Sequence, residues 1–258
     1  QRIISAIVAI IIVFPLLILG GLYFKLLTLI LGICALYELM KLRKNIPNIM
    51  KYLVYLLFII LYLNSYFLVD VDFFINMKLL ILPILILTLP MFIYHDNDIY
   101  SIDDVFYLLG SLFFIATSFS TFAMIRNEGL SIIIYILLIT MSTDTFAYIL
   151  GTKFGKHKLI PSISPKKSIE GFLAGTLIGT IIASTFYMIV IDANPIIILY
   201  TILLSMVGQF GDLVFSSIKR KYDIKDFSNI MPGHGGILDR LDSLIFVALV
   251  YVYILQLI

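Results

Sequence analysis

The chain reads as an all-α, polytopic integral membrane protein of about nine transmembrane helices, with its N-terminus inside and its C-terminus outside. Three observations predict that class. Of 258 residues, 61% are hydrophobic and 13% are charged, with a mean hydropathy of +1.09. Soluble domains carry roughly twice that share of charge, so a water-soluble globule is excluded. Apolar stretches long enough to span a bilayer recur along the whole chain. Lysine and arginine gather in alternate breaks between them.

The stretches run near residues 3 to 19, 22 to 40, 52 to 69, 79 to 94, 105 to 125, 130 to 150, 171 to 191, 195 to 216 and 241 to 258. A spanning helix needs about 20 mostly apolar residues, because lipid offers an open backbone no hydrogen-bond partner. The first, after Arg2, imitates a signal peptide, but a second apolar run follows with no small-residue cleavage pattern, which predicts a retained span. Gly20 and Gly21 divide it from the second, where the single cysteine, Cys34, is a packing residue. Pro47 precedes the third. The fourth is short and holds Pro83 and Pro90; deleting it would move the basic cluster from Lys41 to Lys51 to the outer face. The acidic break His95 to Asp104 leads to the fifth, and Asn127 to Gly129 to the sixth. A polar loop at 151 to 170 precedes the seventh, Asn194 and Pro195 the eighth, and a second polar loop the ninth.

With the N-terminus inside, fifteen of the 18 basic residues fall on the inner side, leaving Lys25, Lys78 and Arg126 outside. The expected organisation is an N-terminal scaffold of about five spans over residues 1–128, then a catalytic region over 129–258 with cytoplasmic loops at 151–170 and 217–238. A net charge of +2 gives no sign of nucleic-acid binding.

The chemistry lies after residue 140. Asp144, inside the sixth span, is costly in lipid and a functional candidate for that reason; the alternative is a helix-end carboxylate reaching the headgroups. Asp144, Tyr148 and Gly151 share a helical face. In Ser164-Pro165-Lys166-Lys167-Ser168-Ile169-Glu170-Gly171 a lysine pair is expected at the start of the seventh helix, where free N–H groups also favour anions. Positive-inside bias alone would also place lysines there.

Asp212, Ser216 and Lys219 recur at i, i+4, i+7 near the inner end of the eighth span, and Asp239 and Asp242 are i, i+3 neighbours at the start of the ninth. Carboxylates of this kind suit a hard cation such as Mg²⁺ beside a phosphorylated substrate. Lys219, Arg220, Lys225 and Arg240 can neutralise phosphates, Gly235 and Gly236 let backbone N–H groups approach an anion, and His234 can contact a phosphate or move a proton. For any one residue the alternative is a mutual salt bridge that ties down the loop.

This cluster resembles the phosphatidate cytidylyltransferases, also called CDP-diacylglycerol synthases. Ser216, Lys219, Arg220, Lys225, Asp226, Ser228, Pro232, His234, Gly235, Gly236, Asp239, Arg240 and Asp242 stand at the family's signature positions. Met231 departs mildly, where that family usually has Leu, Ile or Phe. The upstream Ser-Pro-Lys-Lys-Ser-x-Glu-Gly run and the Asp144 to Tyr148 stretch also match, so the resemblance covers about the last 120 residues.

The resemblance implies a membrane enzyme that joins CTP to phosphatidic acid in the inner leaflet, giving CDP-diacylglycerol and pyrophosphate. Asp212 and Asp239 map onto metal-holding aspartates near Mg²⁺, with a second cation such as K⁺ as an option. Lys166, Lys167, Lys219, Arg220 and Arg240 map onto phosphate contacts, while Asp144, Asp226 or His234 could assist proton removal. The family also implies a homodimer in contact with membrane lipid. The expected location is a bacterial inner (plasma) membrane, with the active site facing the cytoplasm. Two other readings are weighed against it: a cation-coupled transporter, whose ion path would use the acids of spans 6, 8 and 9, and a CTP-dependent polyprenol kinase. The transporter class favours paired repeats and a midplane site, neither of which is visible here.

Overall fold

The computed structural model describes residues 2–67, 73–94, 99–233 and 235–255. Among them are nine α-helices, one for each apolar stretch: α1 (Arg2–Leu19), α2 (Gly21–Leu42), α3 (Asn48–Phe67), α4 (Phe73–Thr88), α5 (Ile102–Glu128), α6 (Leu130–Phe154), α7 (Ile169–Val190), α8 (Ile197–Lys221) and α9 (Leu238–Leu255). The ends of the third and ninth predicted stretches, 68–69 and 256–258, lie outside the described residues. Five helices, α2, α5, α6, α7 and α8, are long and apolar enough to cross a membrane, and the protein is an all-α protein of the membrane class. The fourth stretch, with its two prolines, forms α4 and then a short 3₁₀ turn at Leu89–Phe92.

One local expectation is corrected. The 151 to 170 segment is not an open loop running into a helix that starts with the lysine pair. α6 continues to Phe154, and strands β1 (Lys158–Ile160) and β2 (Ser164–Ser168) then form an antiparallel hairpin. Lys166 and Lys167 sit on β2, and α7 begins after them, capped by Ser168, whose side chain accepts the Gly171 N–H at 3.2 Å. Ser168 satisfies one of the helix's open donors, so the first turn is closed by the chain itself.

The chain forms two compact units. Residues 25–120 make one. Its core holds Leu36, Val54, Leu57, Phe58, Leu108 and Leu112, all essentially inaccessible. Gly32 admits the Phe58 ring, which would stand 2.3 Å from any added Cβ. Tyrosine hydroxyls bind helix carbonyls there: Tyr62 donates to Lys25 at 2.8 Å, Tyr107 to Leu39 at 2.7 Å and Tyr100 to Leu87 at 2.8 Å.

Residues 1–24 and 121–258 make the other unit. In it Arg126 donates to the Leu17 and Ile18 carbonyls at 2.6 and 2.8 Å, satisfying the end of α1. α6 packs along α7, α7 against α8, and α8 against α9. The α6–α7 contact is built on Gly171, Gly175 and Gly179, and the buried Ala183 continues their four-residue spacing. A Cβ on Gly175 would stand 2.7 Å from both the Ala147 Cβ and the Thr143 carbonyl oxygen, so the backbones touch. On the other face of α7, Leu173, Leu177 and Ile181 are 56%, 63% and 63% exposed. Close packing through small residues with bulky apolar groups turned outward is how helices associate where lipid replaces water.

Candidate active site

The intimate α6–α7 contact fixes where Asp144, Tyr148 and Gly151 point. All three line a cavity of about 780 Å³ whose walls come from α6, the hairpin, α7, α8, Asp226 of the loop that follows and the start of α9. That volume suits a nucleotide-sized ligand. Five carboxylates and five cations reach it: Asp144, Asp212, Asp226, Asp239 and Asp242, with Lys158, Lys166, Lys167, Lys219 and Arg240.

Two ion pairs organise these charges. Lys167 Nζ meets Asp212 Oδ2 at 2.7 Å and donates to the Gln209 carbonyl at 3.4 Å, which holds the hairpin against α8. Ser216, one turn along, donates to Asp212 Oδ1 at 3.1 Å. Lys219 Nζ meets Asp239 Oδ1 at 2.8 Å, and the two side chains are only 12% and 4% exposed. The salt-bridge alternative considered for individual residues is therefore realised in both pairs. These pairs also position the groups that line the cavity.

Asp239 is the anchor of the loop. Its Oδ2 accepts the Phe227 N–H at 2.8 Å and the Gly236 N–H at 2.9 Å, so the anion met by a glycine N–H is the protein's own carboxylate. Gly235 adopts φ +89°, and an added Cβ there would stand 2.9 Å from Asp239 Oδ2 and 3.4 Å from Asp226 Oδ1. Both the left-handed backbone and the lack of space require glycine. Met231 and Gly235 exchange backbone hydrogen bonds at 3.0 and 3.1 Å, closing the tip of the loop. Phe227 packs edge-on to Phe215 and lies under the Lys219 ammonium at 5.6 Å, which fastens the loop to α8.

Asp144, Asp212 and Asp242 come from α6, α8 and α9 and lie close enough for their charges to interact. Their oxygens are the donor type that a hard cation prefers. Among the described residues no three carboxylate, imidazole or thiol groups stand close enough to ligate one ion by themselves. Mg²⁺ does not need such a cage, since it usually takes one or two carboxylates and fills its shell with water and phosphate. Asp212 fits that role. Asp239 has both Oδ2 lone pairs engaged and only an Oδ1 lone pair to spare.

Arg220 donates from Nε to the Ile163 carbonyl at 3.3 Å, bracing the turn of the hairpin, and neither it nor Lys225 lines the cavity. Ser216, Gly235 and Gly236 support lining residues from behind. His234 lies outside the described residues. Lys158 and Gln209 line the cavity although neither stood out in the sequence. Gln209 donates to Thr176 Oγ1 at 2.9 Å and the Phe172 carbonyl at 3.2 Å, joining α8 to α7. A lone amide in an apolar span was the available signal for it, and the four-residue glycine spacing was the signal for the α6–α7 contact.

A family model described as the cytidylyltransferase family matches residues 1–258. The chain is similar to a phosphatidate cytidylyltransferase of Bacillus subtilis (strain 168), 36% identical over 256 residues, covering 96% of this chain and 94% of that protein. It is also similar to proteins of the same name from Staphylococcus haemolyticus (strain JCSC1435), 38% identical over 251 residues with 95% of each chain covered, and from Staphylococcus epidermidis, 38% identical over 254 residues with 95% of each covered.

Proposed function

From the chain's membership of the cytidylyltransferase family, which the whole-length match establishes, we propose that it transfers the cytidylyl group of CTP to phosphatidic acid, forming CDP-diacylglycerol and releasing pyrophosphate. The observation that carries the reading is a single cavity, of a volume that suits a nucleotide, lined by both the Lys167–Asp212 and the Lys219–Asp239 pairs.

In the reaction a phosphomonoester oxygen of phosphatidate attacks the α-phosphorus of CTP. A new P–O bond forms, the bond to the β-phosphate oxygen breaks, and pyrophosphate leaves with that electron pair. Phosphatidate is already an anionic nucleophile, so no covalent enzyme intermediate is needed. Both reactants are strongly negative, and the enzyme's tasks are charge neutralisation and in-line positioning. Lys158, Lys166 and Arg240 line the cavity beside the two paired lysines and supply the positive charge. Lys167 and Lys219 can exchange their carboxylates for phosphate oxygens as substrate enters. Asp226, next to Gly235, or Asp144 can take the remaining proton of a singly ionised phosphatidate.

Asp212, with the spare Oδ1 lone pair of Asp239, would hold Mg²⁺, and Asp242 would serve a second cation such as K⁺. Bound there, the metal supplies Lewis-acid neutralisation of the triphosphate. In this reading all nine helices cross a bacterial inner membrane, with the N-terminus and both polar loops cytoplasmic. CTP then arrives from water, and the lipid keeps its tails along the helices. The protein acts as a homodimer, which light scattering of the purified enzyme checks.

Incubating purified protein with CTP labelled at the α-phosphate, phosphatidate and Mg²⁺ tests the proposal. Label in the lipid fraction with equimolar pyrophosphate supports it. Release of CDP instead would indicate a polyprenol-type kinase, and no nucleotide turnover by folded protein would favour a transporter.

A further inference from the structure

A second cavity, in the unit formed by residues 25–120, lies far along the sequence from every residue of the proposed active site. It measures about 380 Å³ and sits at the turn between α2 and α3, lined by Tyr37, Lys41, Lys44, Lys51, Tyr52 and Tyr55 among others. Positive-inside bias accounts for lysines in this turn, but not for their gathering around one cavity. Arg43, in the same turn, is committed inside the protein: it pairs with Asp104 and lies over the Tyr107 ring at 5.2 Å. Lys41, Lys44 and Lys51 make no ion pair among the described residues, and no carboxylate lines the cavity with them.

Three unpaired ammonium groups around one concavity repel one another unless an anion joins them. The surroundings indicate which kind of anion. The tyrosines add phenolic donors and, with the flanking apolar groups, mark the headgroup level of a bilayer, where amphipathic rings collect. Ile49 and Leu56 on α3, the sequence neighbours of the lining residues Asn48 and Tyr55, are 56% and 54% exposed, as lipid-facing groups would be. Basic pockets between membrane helices on the cytoplasmic side are a recognised place for acidic headgroups.

We propose that the Lys41–Lys44–Lys51 cavity binds the phosphate of an anionic membrane phospholipid, at a site separate from the one where phosphatidate reacts. The lipid's acyl chains would lie against α3, and its charge would bring the three lysines together at the helix turn. The binding chemistry is that of a phosphate anion, which a soluble phosphate shares, and the apolar rim favours the lipid as its source.

Native mass spectrometry of the full chain in detergent, titrated with phosphatidylglycerol, phosphatidylcholine or inorganic phosphate, tests this. Each lysine near a charged headgroup contributes about fivefold, so Lys41→Gln/Lys44→Gln/Lys51→Gln should bind phosphatidylglycerol about a hundredfold more weakly and no better than phosphatidylcholine. Lys44→Gln alone should lose about fivefold, which preserves the test if the triple variant does not fold, and Lys221→Gln should change nothing. Nucleotide transfer to phosphatidate should persist in both lysine variants, separating failure here from failure of the proposed activity. Equal retention of phosphatidylglycerol by wild type and a folded variant overturns the proposal. Displacement of phosphatidylglycerol by millimolar inorganic phosphate would keep the phosphate site but overturn its assignment to lipid.

Discussion

Replacing Asp239 by Asn separates two roles that this carboxylate could serve, metal ligand and loop anchor. The Lys219–Asp239 pair is close to buried, at 12% and 4% side-chain exposure, with 2.8 Å between charges. Removing one member of such a pair leaves the other charge stranded, at a cost of about 3 kcal/mol. The Asn amide can also keep only one oxygen to meet the Phe227 and Gly236 N–H groups that Asp239 Oδ2 now accepts. The loss should fall on the 222–237 loop and need not unfold the helices. About 3 kcal/mol of local opening corresponds to roughly a hundredfold loss of amide protection, which hydrogen exchange of peptides covering Phe227 and Gly236 reads directly, without Mg²⁺ or nucleotide. Lys219→Met should expose the same amides less. In the double variant, with no stranded charge, part of the protection should return, giving a coupling of about 1 to 3 kcal/mol. Unchanged exchange in folded Asp239→Asn, or strictly additive effects in the double variant, would refute the anchor argument and leave Asp239 as a metal ligand alone.

Other perturbations reach different parts of the site. Asp212→Asn should abolish transfer of label from CTP to lipid while gel filtration in detergent stays unchanged, because Asp212 lies at the cavity wall and is only partly buried. Near-normal turnover would discredit its metal role. Gly175→Leu should destabilise by about 1 to 3 kcal/mol or more and lower turnover, since even a Cβ would stand 2.7 Å from Ala147 and Thr143; thermal unfolding in lipid checks this. Gln209→Leu leaves Thr176 Oγ1 and the Phe172 carbonyl without their amide, and should cost about 0.6 to 1.7 kcal/mol in the same measurement. Chelation by EDTA should stop nucleotide transfer, and added Mg²⁺ should restore it; full activity in excess chelator would remove the metal from the proposal.

The helices were legible because lipid imposes a single rule, that the backbone must bond to itself, and long apolar runs can obey it only as helices. Even the proline-bearing fourth stretch follows that rule over most of its length, as α4. The hairpin at 158–168 was not legible. Its strands are three and five residues long and carry lysines, serines and a proline, so no apolar alternation announced them. The motif residues of α8 and α9 were legible as a cluster, but not their partners. Local spacing pairs Asp212 with Ser216 and Lys219, yet the structure gives Lys219 to Asp239 and brings Lys167 to Asp212 from a hairpin 45 residues upstream.

Composition and charge placement by themselves determined that the chain is built of apolar helices with its motif residues gathered after residue 140, because hydropathy and helical period are local properties. Tertiary structure decided which carboxylate meets which lysine, that Asp239 anchors a loop, and that three lysines of the α2–α3 turn line a cavity. Those outcomes depend on how closely backbones approach, and glycine contacts set that approach between neighbouring helices.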